Sequence, residues 1–243
     1  MTMSRSEDDE IVRRRSGWLI PLAVLLIITA LSALFLLYYL APTAPPLFSE
    51  QVSPTSSTDV VALEVGGVNL WIPENYLQYA SSRRGGRHRE VALFAMLPDL
   101  SGWSNWNAGS FAENGPDSPI LYLTIRMQDP VLSESERLNR IYLAYVKNSA
   151  GEPGPYGLTK YTFRTDNGYR REDLFVGHNA KGLVVLRCVR LGPDTTNPNC
   201  LRDMPLKGIV GVSYRFKRSK LSHWREIADA VDALLAGFQK PAK

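Results

Sequence analysis

The residues best equipped for chemistry in this chain are three histidines, two cysteines and a dense run of arginines. A nucleophilic enzyme needs a Ser, Cys or Thr beside a base, and His88, His178 and His223 fall in a basic loop, a turn and a helix start, outside any catalytic motif. The spacings G-x-S-x-G, S-x-x-K, H-E-x-x-H, the P-loop and G-x-G-x-x-G do not occur, which removes the common hydrolase, zinc, nucleotide and dinucleotide signatures. Scattered carboxylates are the residual catalytic option. Glu74, Glu90, Asp99, Glu113 and Asp117 would suit glycoside cleavage if folding brought two of them together. The expectation is a protein with no enzymatic activity, no cofactor and no metal.

Two segments suit binding better than catalysis. Arg83, Arg84, Arg87 and Arg89 surround Gly85-Gly86, and such a tip can clasp phosphate, carboxylate or an anionic glycan through paired guanidinium contacts. Equally, it can be the solvated end of a hairpin, with charge discouraging edge-to-edge pairing. The stretch from Pro98 to Pro119 concentrates Trp103, Asn105, Trp106 and Phe111 among Ser, Asn and Gly. A long loop of this kind is a common home for function. Trp with Asn can stack on and hydrogen-bond a sugar or peptide, and Trp is favoured at protein contacts. The alternative is that Trp103 and Trp106 fold back as a small core pinning the loop.

The elements that must position these segments follow from hydropathy. Val60 to Val65, Gly66-Gly67 and Val68 to Ile72 read as a hairpin. Further strands are expected over Glu90 to Leu97, Pro119 to Gln128, Leu158 to Arg164, Tyr169 to Val176, Gly182 to Val189 and Ile209 to Phe216, with Asp166-Asn167-Gly168 as a second hairpin turn. Ser133 with Glu136 forms a capping-box pattern ahead of a helix carrying Leu138, Ile141, Tyr142, Tyr145 and Val146 on one face. A terminal helix from Ser222 sets Trp224, Ile227, Ala228, Val231, Leu234, Leu235 and Phe238 on a stripe, with Arg225, Asp229 and Asp232 away from it. The fold class is α+β, with one N-terminal transmembrane helix and a mostly antiparallel sheet packed with two helices.

Residues 18–40 carry no charge and as a helix would reach roughly 35 Å, enough to cross a bilayer core. Trp18, Tyr38 and Tyr39 stand where aromatic belts form. A cleavable signal peptide is the rival, but its apolar region is normally shorter, and Pro42, Pro45 and Pro46 follow where a peptidase would need an accessible bond. Arg13, Arg14 and Arg15 abut the span, and the next basic residue is Arg83. This charge bias places 1–17 as a cytoplasmic tail and everything after the span outside, which in a bacterium is the periplasm. Residues 41–59 read as a Pro/Ser/Thr-rich linker with a reach on the order of 60 Å, and 60–243 as the extracytoplasmic domain. Cys188 and Cys200 flank a turn-rich stretch; in an oxidising compartment they would pair, whereas in the cytosol they would stay free. No Asn-x-Ser/Thr acceptor occurs, which favours a bacterial periplasm over a glycosylating pathway. The chain has 243 residues with 28 Lys and Arg against 24 Asp and Glu. That excess is too small to point to nucleic acid, which the expected location also excludes.

The opening hairpin closing on Leu70-Trp71-Ile72-Pro73, the mid-chain helix, the run of strands and the terminal helix running into Phe238 resemble PsbP/DcrB-type domains over about residues 60 to 240. The inserted loop at 98–118 and the cysteine pair depart from that pattern. The whole chain is also similar to single-pass, membrane-anchored bacterial envelope proteins of the inner membrane. The resemblance implies an accessory or assembly role and supplies no catalytic residues. The function expected is a tethered, non-enzymatic interaction protein with an envelope protein partner. The second reading is a binding module for peptidoglycan or another anionic glycan, and an envelope hydrolase comes third.

Overall fold

The structure is a computed structural model, and it describes residues 17–40, 50–193 and 195–241. The expected cytoplasmic tail with Arg13 to Arg15, and the first half of the expected linker, lie outside the described residues. Two units are present, one within residues 1–50 and the other from Gln51 onward. The first contains α1 (Leu19–Leu40), apolar on every side and long enough to cross a membrane.

The second unit contains β1 (Val60–Val65), β2 (Val68–Pro73), β3 (Gly86–His88), β4 (Glu90–Met96), α2 (Ala108–Ala112), β5 (Ile120–Met127), α3 (Glu134–Arg140), β6 (Glu152–Pro153), β7 (Thr159–Thr162), β8 (Glu172–Asn179), β9 (Gly182–Val189), β10 (Asn199–Lys207), β11 (Val210–Lys217) and α4 (Trp224–Phe238). Eight of the strands form one sheet in the order β4-β5-β11-β10-β9-β8-β7-β6, antiparallel throughout. A smaller sheet, β2-β1-β3, pairs β1 with β3 in parallel. Residues 50–59 have no regular structure, yet Ser53 is held to the domain by its N–H to Gln78 O and by Arg83.

Period-two alternation explains the large sheet. On β11, Val210, Val212, Tyr214 and Phe216 face the main core while Ser213 and Arg215 face outward. α4 covers that core with its apolar stripe: Trp224, Ile227, Val231, Leu235 and Phe238 are all buried. Trp224 rests on Gly177, where a Cβ would stand 2.6 Å from the indole ring, so only glycine leaves room. Asp232, expected away from the stripe, is instead buried at 4% exposure and accepts a hydrogen bond from Asn179 Nδ2. On the opposite sheet face, α3 and the turn Tyr142–Tyr145 cover strands β7 to β9 through Leu138, Tyr142, Val146, Phe163, Leu174 and Val185. The Ser133–Glu136 capping box that starts α3 is formed reciprocally. The helix turns into a 3-10 turn after Ile141, which leaves Tyr145 39% exposed rather than on the buried face.

The sequence pattern misses the short strands β3 and β6 and one long strand, β10, whose interior shows why. β9 and β10 pair over two positions alone, Cys188 with Cys200 and Arg187 with Leu201, and then part company. Cys188 and Cys200 are joined by a disulfide at the vertex of that split. Glu134, in the first turn of α3, enters the gap. One carboxylate oxygen accepts the Val185 backbone N–H at 2.8 Å and Arg202 Nε at 3.0 Å, and the other accepts Arg202 Nη2 at 2.7 Å. Arg202 also donates to the Tyr214 hydroxyl. Burial alone would lower the affinity of the Arg202 guanidinium for its proton, but the Glu134 hydrogen bonds reverse this and raise it. Burial pushes the Tyr214 phenol up to about 12, against the pull of Arg202. A guanidinium at an inward-facing position is not part of any apolar alternation, so β10 does not read as a strand.

Two stability predictions follow from the split sheet, both measured by denaturant melts of the full chain in detergent. Arg202→Met, which leaves Glu134 buried without its cation, should cost about 3–5 kcal/mol. Adding Glu134→Gln should recover part of that loss, because the amide oxygen still accepts the Val185 N–H. Cys188→Ser should cost about 3 kcal/mol by freeing the loop between the two cysteines in the unfolded chain.

Candidate functional site

The β4–β5 connection is far from a slack loop. At its stem, Leu97 N–H donates to Pro119 O, and Met96 and Ser101 exchange backbone hydrogen bonds at 2.8 and 3.1 Å. Leu100 is buried with φ of +53°, a conformation that costs a leucine energy and is held by its surroundings. The Tyr76 hydroxyl donates to Leu100 O at 2.9 Å. Burial pushes that phenol up, against a backbone hydrogen bond from Gly102, so it stays a donor at neutral pH. Trp103 N–H donates to Asn75 O at 2.8 Å while Asn75 Nδ2 returns a bond to Trp103 O. Gly102 is required there, since a Cβ would fall 2.5 Å from the Asn75 amide.

The tip is organised by Asn107, whose side chain accepts from Ser104 N–H at 2.7 Å and donates to Gly102 O at 3.1 Å. The descending half contains α2, an element absent from the sequence expectation, and its Phe111 packs on Phe94 with ring centroids 4.8 Å apart. It is then fastened to the rest of the domain through Asn114, which accepts from Lys217 Nζ and Asn197 Nδ2, and through Pro116 O, which accepts from Ser219. On this frame Trp106 is 99% exposed and Asn105 is exposed beside it, whereas Trp103 is half-buried. Trp106 therefore does not fold back as a pinning core; backbone and Asn side-chain hydrogen bonds do the pinning.

The arginine segment departs from expectation. It is not a hairpin end but a 3-10 turn, Ser82–Arg84, leading into β3, which lies parallel to β1. Arg83 is spent on structure, donating to Ser53 O at 2.6 Å and to Ser53 Oγ. Arg87 pairs with Glu64 at 3.1 Å. Arg84 and Arg89 are exposed, with no ion-pair partner among the described residues. The segment and the tryptophan loop both border the turn at 74–83, and among the described residues no hydrogen bond or ion pair joins one to the other.

His88 is held to Gly85 O, and His178 uses its backbone carbonyl to accept from Arg225. Among the described residues no three of His, Cys, Asp and Glu gather as a metal site. The expected carboxylates are spread over the turn after β2, the start of β4 and the β4–β5 loop.

No family model matches the chain, and no curated protein matches it. Two solved structures are similar. Smlt3025, an immunity protein of the Stenotrophomonas maltophilia type IV secretion system, superposes with a TM-score of 0.53 at 17% identity over 74% of this chain and 93% of that one. FrpD, an iron-regulated outer membrane lipoprotein of Neisseria meningitidis, gives 0.48 at 14% identity over 78% and 96%. The first likeness is one of fold. It gives no support to the PsbP/DcrB resemblance.

If the loop is pinned as described, Trp106→Ala should leave the melting transition of the full chain within about 0.5 kcal/mol of the parent. Asn107→Ala should instead speed amide exchange at Gly102 to Trp106, measured by hydrogen–deuterium exchange, because it removes both tip hydrogen bonds.

Proposed function

We propose that this chain is a membrane-tethered, non-enzymatic protein of the bacterial cell envelope that binds another protein through the loop bearing Trp106. The single observation behind this reading is the combination of a fully exposed indole with a loop tied down along its length. An exposed tryptophan on a mobile loop would lose conformational entropy on binding; on a fixed loop that loss is already met in folding. Tryptophan is also the side chain most enriched at interface hot spots.

In this reading α1 is an uncleaved anchor in the inner membrane. The arginines at 13–15 hold the N-terminus in the cytoplasm and the domain from Gln51 onward lies in the periplasm. The Cys188–Cys200 disulfide supports an oxidising compartment for that domain. The fold shared with an immunity protein supports a binding role on this architecture, and an immunity function is the more specific form of the proposal. The anionic-glycan reading of the arginine segment loses force, since Arg83 and Arg87 are engaged within the domain.

Photo-crosslinking in intact cells tests the proposal. A photoreactive residue at position 106 should give a discrete protein adduct, and one at the exposed Asp166 should not. No adduct at 106 despite correct membrane insertion, or equal adducts at both positions, would overturn it.

A further inference from the structure

The outer face of the large sheet is divided into two chemically different halves. Over β7 to β10 the charges answer one another. Arg187 bonds Glu172 and Asp203, and Glu134 of α3 reaches through the split to the inward Arg202. Over β4, β5 and β11 the outer face meets the short helix α2 at Phe94, and beyond that contact the pattern is one of small residues. Ala92, Thr124 and Ser213 stand opposite one another in register, forming a row of small residues across three strands. The row on one side contains Glu90 and Arg126, and the row on the other contains Phe94, Tyr122 and Arg215. Small residues between two rows of large ones make a trough.

Gln78 and Tyr79 close the trough at the β4 edge, and Leu201 closes it on the β10 side, giving a cleft of about 280 Å³. Gln78 is fixed there by its N–H to Ala92 O and by Nε2 to Leu93 O at 2.6 Å. The Arg215 guanidinium lies 4.9 Å from the Tyr122 ring centre and so holds that ring in place. Tyr79, Tyr122, Thr124, Ser213 and Glu90 line the cleft, and among the described residues no side-chain hydrogen bond or ion pair commits their hydroxyls or carboxylate.

We propose that this cleft is a saccharide-binding site that takes one neutral sugar ring of a larger glycan. Its volume suits a single small ring. Four hydroxyls, each both donor and acceptor, together with an acceptor carboxylate and a donor guanidinium, match the mixed donor and acceptor pattern of a sugar's hydroxyl groups. Tyrosine offers an apolar ring face with a polar tip, which suits the flat, partly apolar face of a pyranose. One carboxylate and one guanidinium in the same cleft disfavour a phosphate or polyanion, because Glu90 would repel what Arg215 attracts. The site is separate from the tryptophan loop and does not rest on the protein-binding reading.

Saturation-transfer NMR on the full chain in a sugar-free detergent, with chitotriose, cellotriose and maltotriose as probes, tests the assignment. At least one trisaccharide should receive saturation from the wild-type protein, with a dissociation constant at or below about 10 mM. Ser213→Trp, which fills the trough, and Glu90→Gln, an exposed and conservative change, should each weaken that binding about tenfold or more. Trp106→Ala should bind as the wild type does. A circular dichroism melt of each variant separates loss of the site from loss of the fold, and Glu90→Gln decides the matter if Ser213→Trp does not fold. Absence of transfer to all three sugars, transfer indifferent to Glu90→Gln, or transfer abolished by Trp106→Ala would overturn the proposal.

Discussion

A carboxylate and a guanidinium, Glu134 and Arg202, stand buried where the backbone pairing of β9 and β10 gives out, and the arrangement of both sheet faces depends on them. A split in a sheet leaves peptide groups without ladder partners, which is costly in the interior. Glu134 answers one of them directly by accepting the Val185 N–H. Arg202 then neutralises the carboxylate in a two-point contact, and Tyr214 takes a further guanidinium proton. Each group makes the next one tolerable. Because Glu134 belongs to the first turn of α3, the same contact that fills the split also seats the helix on the outer face of β7 to β9.

That seating divides the surface. With α3 committed to one half of the outer face, the half made of β4, β5 and β11 meets only the short helix α2 of the β4–β5 connection, through Phe111 on Phe94. The main core lies on the opposite side, sealed by α4 and the small sheet. The ion pair and the helix it seats occupy one part of the outer face, and the proposed cleft lies on the other.

Much of the scaffold was legible in the sequence, and its failures are local. The span, the opening hairpin, the Ser133 capping box and the stripe of α4 rest on periodicity and short-range hydrogen bonding, which neighbouring residues determine among themselves. β10 was not legible because Arg202 occupies an inward position through a partner 68 residues away. Asp232 misled for the same reason: Asn179, distant in sequence, makes its burial possible. At the tryptophan loop, composition identified the segment but not the state of its two indoles. That state is decided by Asn75 and Tyr76, which precede the loop and hold its stem. The arginine segment failed in the other direction. Its charge density was visible, while the engagement of Arg83 by Ser53 and of Arg87 by Glu64 depends on chain placed alongside it by folding.

The hydrogen bonds that hold the tip of the β4–β5 loop also bear on kinetics. A loop that must first find its bound shape slows encounter, and its rearrangement limits the association rate. Here Asn107 and the Asn75–Trp103 exchange keep one shape in the free protein. In the proposed complex, encounter would then proceed as a rigid collision, and side-chain changes at the indole would act on how long the complex survives rather than on how fast it forms. Under that proposal lifetime, more than capture rate, is the quantity that variation at position 106 would adjust.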